Sequence, residues 1–372
     1  MRRIRTAPAH RALSRPVLLS ALLSMMLIAT PLTAQPEPAS DREPSDDPMT
    51  VLGPREWEEV GESIERALRW LASRQQPDGS FPTLETGQRA VDYVLGCQQA
   101  SGLLARVNPR VNDVTVSIAT AGHTAAYNHA ISGVLLCEVY GMTHKDQAQR
   151  IRSAIGRGLN FTMAEHAKPK RFPADEGGWR YVYPAARERA DSDLSITCWQ
   201  LMFLRAAINA GFEIPSEPID QAVAYIKRCY KPDARVLTYT ILHPQAPTRA
   251  MAGTGILALA LDGLHRTTIA QSSAQWLLAH PFDRYNQSLN IYDRYHYGVY
   301  HCSLAMFQMG GRYWEGFYPG LAQVLLRHQT PAGHWATESP PMGDHIFGNP
   351  YTTALVVNAL AVPYQLLPIY QR

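Results

Sequence analysis

The chain has 372 residues, of which 46% are hydrophobic and 18% are charged, a balance typical of a globular protein. Its formal net charge is +3, and the five arginines before Pro16 account for more than this excess, so the rest of the chain is near −2. This charge gives no basis for nucleic-acid binding, and none is expected.

Residues 1–34 have the pattern of a secretory signal peptide. A cationic start precedes an apolar run at residues 17–28, and small residues follow as far as Ala34. The run is shorter than the roughly 20 apolar residues that a membrane span requires. We expect cleavage, a periplasmic or secreted protein and no membrane span in the mature chain. A retained anchor is the alternative.

Residues 35–54 are rich in proline and acidic residues and have no apolar period, which predicts a disordered linker. The remaining residues, 55–372, are expected to form one domain. Five cysteines are present and none forms a CxxC pair. Cys137, Cys198 and Cys302 lie in apolar helical runs, where buried free thiols are expected.

Internal repeats organise residues 55–372. One class of segment ends in glutamine, a turn with glycine and then a large apolar or aromatic residue. The first such helix has one apolar stripe beside charged residues and is predicted to lie on the outside. The copies share one spacing, at Gln75-Gly79-Phe81, Gln98-Gly102-Leu104 and Gln329-Gly333-Trp335, and a decayed copy has Tyr230, Ala234 and Val236.

A second class of segment alternates with the first and is apolar nearly all round. These segments are at 124–141, 193–211, 249–264, 298–311 and 352–362. A helix without a polar face must be buried on every side. The alternation therefore predicts an inner ring of helices inside an outer ring, in an all-α protein.

The Gln-x-x-x-Gly-x-aromatic endings at 75–81 and 329–335 resemble the QW-type repeats of squalene and terpenoid cyclases. The inner segments, such as "YHYGVYHCSLAMFQMGG", are similar to those of the superfamily that also contains prenyltransferase β-subunits. The resemblance covers about residues 60–365. It implies an (α/α) toroid, or α/α barrel, of about five to six helix pairs with a central cavity.

Two activities of this fold require residues that the sequence lacks. Protein prenyltransferases bind zinc through an Asp-x-Cys pair and a histidine, and no Asp-x-Cys is present. Asp293, His296, His301 and Cys302 are close in sequence, but we interpret them as cavity wall and predict no metal and no cofactor. Thioester proteins need a glutamine three residues after the cysteine, where Cys97 is followed by Ala100.

Bacterial triterpene cyclases protonate an alkene with an Asp-x-Asp-Asp motif, and "DSDLS" matches two of its acids. The resemblance places the proton donor at Asp193 with Asp191 as its partner, while Leu194 replaces the third acid. An aspartate just before an apolar helix is equally what a helix N-cap looks like. In that case Asp193→Asn should leave the stability nearly unchanged, because asparagine caps about as well.

Aromatic residues near this motif are candidates to line a ligand cavity, although they would also suit a plain core. They are Trp179, Tyr181, Trp199, Tyr295, Tyr297, Tyr300 and His301.

Three functions remain open from the sequence. The preferred one is an exported protein, expected to be a monomer, that binds an apolar or peptide-like ligand. The alternatives are a cyclase- or lyase-type enzyme that uses Asp193 on an isoprenoid-like substrate, and a structural or assembly module.

Overall fold

A computed structural model describes residues 47–74, 89–106, 118–143, 145–182, 191–242, 245–338 and 344–371. These residues form eleven α-helices and one small antiparallel hairpin. In chain order the helices are α1 (Pro54–Arg74), α2 (Arg89–Gly96), α3 (Ile118–Tyr140), α4 (Lys145–His166), α5 (Leu194–Asn209), α6 (Ser216–Arg228), α7 (Arg249–Leu261), α8 (Thr268–Leu278), α9 (Tyr295–Met309), α10 (Gly311–His328) and α11 (Gly348–Ala361).

The inner helices are α3, α5, α7, α9 and α11, and they confirm the prediction of five segments that are apolar nearly all round. Each packs against the next, from α3 through α5, α7 and α9 to α11. In α5, thirteen of the fourteen residues from Leu194 to Ala207 are buried, Arg205 being the exception. Because these helices have no polar face, they are covered by outer helices and by each other.

The outer helices α1, α4, α6, α8 and α10 each bury one stripe and leave the other side in water. In α6 the stripe contains Ile219, Ala222, Val223 and Ile226, which recur at the three- and four-residue spacing of a helix face. The predicted (α/α) arrangement, with wet helices around buried ones, is therefore the observed fold.

The glutamine of each described Gln-Gly turn joins its own turn to a neighbouring outer helix. The Gln98 side-chain amide donates to the Gly102 carbonyl at 3.1 Å and to the Ala154 carbonyl of α4 at 2.9 Å. Gln329 repeats both bonds, to the Gly333 carbonyl at 2.9 Å and to the Ser63 carbonyl of α1 at 2.8 Å. The sequence repeat is thus a repeated docking contact.

The second of these contacts links the turn after the last outer helix to the first outer helix. Gly333 follows α10, the last outer helix, and the helix that it contacts is α1, the first. Arg66 of α1 also donates to the Gln329 side-chain oxygen, as Arg157 of α4 does to that of Gln98. The last outer helix, α10, therefore meets the first, α1, at the Gln329 turn.

Of the two other predicted repeat copies, one lies outside the described residues and one differs from this pattern. Gln75, Gly79 and Phe81 lie outside the described residues. The decayed copy forms the hairpin of β1 (Tyr230–Lys231) and β2 (Val236–Leu237), with Tyr230 opposite Leu237. Its left-handed turn residue is Arg235, at φ 55°.

The folded part begins before the predicted boundary at residue 55. Residues Pro48–Val51 form a 3₁₀ turn, capped by Asp47. The Trp57 indole donates to the Met49 carbonyl, and the Trp314 indole donates to that of Pro48. These two bonds tie the end of the predicted linker to α1 and α10.

A C-terminal 3₁₀ turn, Pro368–Tyr370, packs among the inner helices. The Tyr370 hydroxyl is 2.7 Å from that of Tyr300 on α9, and its carbonyl accepts from Gln308 at 2.8 Å. The Ile369 amide donates to the carboxyl group of Glu138 on α3. Burial raises the pKa of Glu138 to about 7, and one of its oxygens lacks a described partner.

All five cysteines are free thiols, and Cys137, Cys198 and Cys302 are buried as predicted. None of the described helices combines the length and the hydropathy of a membrane span. The predicted signal peptide lies outside the described residues.

Gly333→Ala tests the docking turn. Gly333 has φ +99°, and a Cβ there would lie 2.6 Å from the Arg66 carbonyl oxygen. We expect the free energy of unfolding, measured by urea denaturation, to fall by at least about 1–2 kcal/mol. The control is Gly320→Ala on α10, where nothing lies within 4 Å of the added Cβ and stability should hold or rise. Equal stability of the two variants would contradict the docking role.

Glu138→Gln tests the burial of the carboxyl group beside the C-terminal turn. The native pKa is raised above the ordinary value of about 4.3, so the native state holds a proton that the unfolded state releases. Stability of the parent should therefore fall as the pH rises from about 4.5 to about 7. Urea unfolding of Glu138→Gln should lack this component, whereas exposed Glu58→Gln should retain it. A pH profile unchanged in Glu138→Gln would refute this assignment.

Candidate functional site

The N-terminus of helix α5 holds the aspartate that the sequence singled out. Asp193 is fully buried, and its Oδ1 accepts the Ile196 amide at 2.8 Å, which makes it the N-cap of α5. Its Oδ2 accepts from the Arg180 guanidinium at 2.9 Å. The cap is thus also half of an ion pair, a contact that the sequence did not reveal.

Burial and polar contacts act in opposite directions on the carboxyl group of Asp193, and its pKa is raised overall. Burial raises the pKa of Asp193, and the Arg180 charge and the Ile196 and Ser195 amides oppose that rise. Both oxygens accept bonds from N–H donors, which suit an ionised carboxylate. An acid that protonates an alkene must instead carry its own proton.

Asp191 lies two residues before Asp193 and acts on other charged groups. Its charge acts on Asp175 and on Lys170, near the turn that precedes Trp179. Residues 191 and 193 lie in the extended segment that precedes α5. Side chains two residues apart share a face only where such a segment is a regular strand. Here Asp193 bonds to Arg180 instead.

Arg180 connects Asp193 to two tyrosines. Its guanidinium donates to the Tyr239 hydroxyl at 3.0 Å and lies over the ring of Tyr181, 4.4 Å from its centroid. The hydroxyl groups of Tyr181 and Tyr239 are themselves hydrogen-bonded. The His123 ring packs on Tyr181, with centroids 3.7 Å apart. Tyr181 therefore belongs to a polar group around Arg180.

Deeper among the inner helices, hydroxyl groups and rings from α3, α5 and α9 meet. Ser195 on α5 lies 2.8 Å from the hydroxyls of both Tyr127 and Tyr297. The Trp199 indole donates to the Tyr297 hydroxyl at 2.9 Å. We call Tyr127, Trp199, Tyr297, Tyr300 and His301 the inner aromatic cluster.

The rings of this cluster pack on one another around Trp199. Trp199 stacks on Tyr300 with centroids 6.0 Å apart and meets the His301 ring edge-on at 5.4 Å. Burial raises the pKa of Tyr127 and Tyr297 well above the ordinary value. Tyr127 and Tyr297 are half-buried as whole residues, whereas Trp199, Tyr300 and His301 are buried.

His301 carries an acceptor without a donor. Its Nδ1 is 3.0 Å from the Tyr297 carbonyl, which can only accept, so Nδ1 carries the hydrogen. Burial lowers the pKa of His301 to about 3, so the ring is neutral and Nε2 has a free lone pair. That nitrogen is buried, and no described residue donates to it.

Two of the predicted aromatic residues lie elsewhere. The Trp179 indole donates to the Thr162 carbonyl of outer helix α4 at 3.0 Å, and its amide donates to Thr197. Tyr295 packs edge-on against Phe282, 5.4 Å between centroids. The structure thus brings together Trp199, Tyr297, Tyr300 and His301, and places Trp179 and Tyr295 away from them.

Of the residues weighed as zinc ligands, Asp293 and Cys302 have other partners. Asp293 accepts from the buried Arg249 side chain at 2.8 Å and 3.0 Å and from the Arg249 amide. The Cys302 thiol donates to the Arg249 carbonyl. His296 lies instead beside Glu338 and Asp344, and ligand atoms of the three lie within 4.8 Å of one another.

Sequence reasoning missed Tyr127, Arg180, Tyr239, Glu338 and Asp344. Tyr127 is on a predicted inner helix, and its position on the helix face could have placed it near the cluster. Arg180 and Tyr239 are in connecting segments, whose geometry a helical period does not give.

No protein-family model and no curated protein matches the chain. Matching solved structures include three complexes and variants of the type II terpene cyclase MstE from Scytonema, each 14% identical. One holds geranylgeranyl dihydroxybenzoate as substrate and covers 85% of this chain and 100% of that chain, with TM-score 0.43. A second structure with this substrate covers 84% of this chain and 99% of that chain, with TM-score 0.44. A third structure, with merosterolic acid A as product, covers 83% of this chain and 98% of that chain, with TM-score 0.43.

The similarity to these terpene cyclase structures is a finding of the comparison alone. The identity is low and the TM-scores are below 0.5, so neither activity nor substrate follows from it for this chain.

Asp193→Asn separates the ion pair from the cap. The asparagine oxygen keeps the cap but its NH₂ group would face the Arg180 guanidinium. We expect the free energy of unfolding to fall by about 1–3 kcal/mol, and Asp193→Ala to lose about 1 kcal/mol more.

The control is Asp262→Asn, whose partner Arg205 and own side chain are more exposed, so that the loss should stay below about 1 kcal/mol. If urea unfolding finds Asp193→Asn as stable as the parent, Asp193 is a cap alone.

Proposed function

We propose that this chain is a ligand-binding protein and that its inner aromatic cluster receives an apolar or peptide-like molecule. The observation that carries the proposal is the buried Nε2 of His301, an acceptor to which no described residue donates. A buried acceptor without a partner costs about 1–3 kcal/mol, and a donor group on a ligand removes that cost.

The ligand class follows from what surrounds this nitrogen. Trp199 and Tyr300 offer apolar ring faces, and the hydroxyl groups of Tyr127 and Tyr297 lie in the same cluster. The matching molecule has an apolar body and at least one N–H or O–H group. Peptide-like compounds and hydroxylated lipids both have this chemistry. We also propose a periplasmic or secreted location, from the signal-like N-terminus.

A cyclase-type enzyme is the second candidate, and the complete burial of Asp193 favours it. Its ion pair with Arg180 argues against a proton donor, because the carboxylate form is the one that the N–H donors stabilise. Incubation with squalene, followed by gas chromatography, tests this candidate. Cyclised product from the parent and none from Asp193→Asn would replace the binding proposal.

Binding is tested with N-phenyl-1-naphthylamine, a fluorescent apolar probe with a single N–H donor. We expect saturable binding of one probe per chain. His301→Leu removes the acceptor but keeps an apolar side chain of similar size, and we expect it to weaken binding at least tenfold.

Tyr292→Ala is the control, because Tyr292 is an exposed aromatic residue outside the cluster. Its affinity should equal that of the parent. Absence of saturable binding, or equal affinities in the parent and in folded His301→Leu, would contradict the proposed site.

A further inference from the structure

A histidine and two carboxylates meet below the N-terminus of α9. His296 lies in the first turn of α9, Glu338 lies beyond α10, and Asp344 precedes α11. All three are buried, with His296 fully inaccessible. The cluster uses none of the residues of the inner aromatic cluster.

The hydrogen bonds of Tyr285 fix one ring nitrogen of His296. The Tyr285 hydroxyl donates its single hydrogen to the Ala336 carbonyl at 2.7 Å. Its oxygen is then an acceptor toward His296 Nε2, which lies 3.2 Å away. Nε2 therefore carries a hydrogen, and Nδ1 is the nitrogen that faces the carboxylates.

Nδ1 lies 2.9 Å from Asp344 Oδ2 and 3.6 Å from Glu338 Oε1. The Asp344 contact is within ion-pair distance, although its angles fall outside ordinary hydrogen-bond geometry. A bare lone pair would repel the two oxygens, so Nδ1 must share either a proton or a metal ion with them. A proton would leave the group with net charge −1, whereas a divalent ion would balance it.

Other contacts orient both carboxylates toward this point. Asp344 accepts from the Thr352 hydroxyl at 2.6 Å and from the Glu338 amide at 2.5 Å. Glu338 accepts the His296 amide at 2.9 Å. No lysine or arginine in the described residues forms an ion pair with either acid. Such outer contacts are what holds metal ligands in place.

We propose that His296 Nδ1, Glu338 and Asp344 bind one divalent transition-metal ion, Zn²⁺ or Mn²⁺. Imidazole and carboxylate ligands suit these ions. Ligand atoms of a tetrahedral zinc site are about 3.4 Å apart, given metal bonds of about 2.1 Å. The Nδ1–oxygen distances of 2.9 Å and 3.6 Å bracket this spacing. Three protein ligands leave a fourth position for water or a bound molecule.

The test uses the full mature chain without a histidine tag, dialysed against EDTA and then against buffer. Isothermal titration with ZnCl₂ and, separately, MnCl₂ should show one ion per chain for at least one of the metals. Glu338→Gln and His296→Asn should weaken the binding at least tenfold while circular dichroism shows an unchanged fold. His280→Asn, at a half-buried histidine outside the cluster, should bind as the parent does.

Cobalt supplies a readout that does not need the variants to fold. Co²⁺ held by one nitrogen and oxygen ligands at a site of low coordination should give visible absorption bands from the parent, which excess Zn²⁺ abolishes. Absence of saturable binding of both metals by the parent would overturn the proposal, and so would an equal affinity in a folded Glu338→Gln. Loss of binding in His280→Asn as large as in Glu338→Gln would likewise overturn it.

Discussion

The structure depends on the need to cover five helices that have no polar side. Helices α5, α7 and α9 are buried almost all round, so each must find neighbours on every face, whereas α3 and α11 are buried in part. The Gln-Gly turns dock on the outer helices that cover the inner ones. Gln98 fastens its turn to α4, and Gln329 fastens the last turn to α1 with the same pair of bonds. The last outer helix thereby meets the first.

The fold could be predicted because two hydrophobic patterns in the sequence indicate two environments, the outer and the inner helices. Charged faces on α1 and α6 mark outer helices, and all five inner segments are found close to their predicted bounds. The site was predicted less completely. Trp199, Tyr297, Tyr300 and His301 share buried faces of α5 and α9, which a helical period gives. Arg180 and Glu338 lie in irregular segments whose course depends on tertiary contacts, so no local pattern places them near Asp193 or His296.

Asp193 shows how one residue type satisfies two interpretations of the same motif. Its position before α5 fits both a cap and a proton donor, and its chemistry depends on what faces the second oxygen. Arg180 occupies that position, which the sequence could not indicate. The opposite case is His301. Its ring is neutral and buried, and its second nitrogen faces rings rather than a donor, so the protein leaves one hydrogen-bonding position for another molecule.

We propose, centrally, that the inner aromatic cluster holds an apolar molecule with a donor group and does not alter it. The most direct measurement is mass spectrometry of the organic extract of protein purified from the cells that make it. We predict one compound, near one equivalent per chain, with an apolar body and at least one N–H or O–H group, and its absence from His301→Leu. An extract without such a compound, or one that contains a polyprenyl substrate together with its cyclised product, would contradict the account.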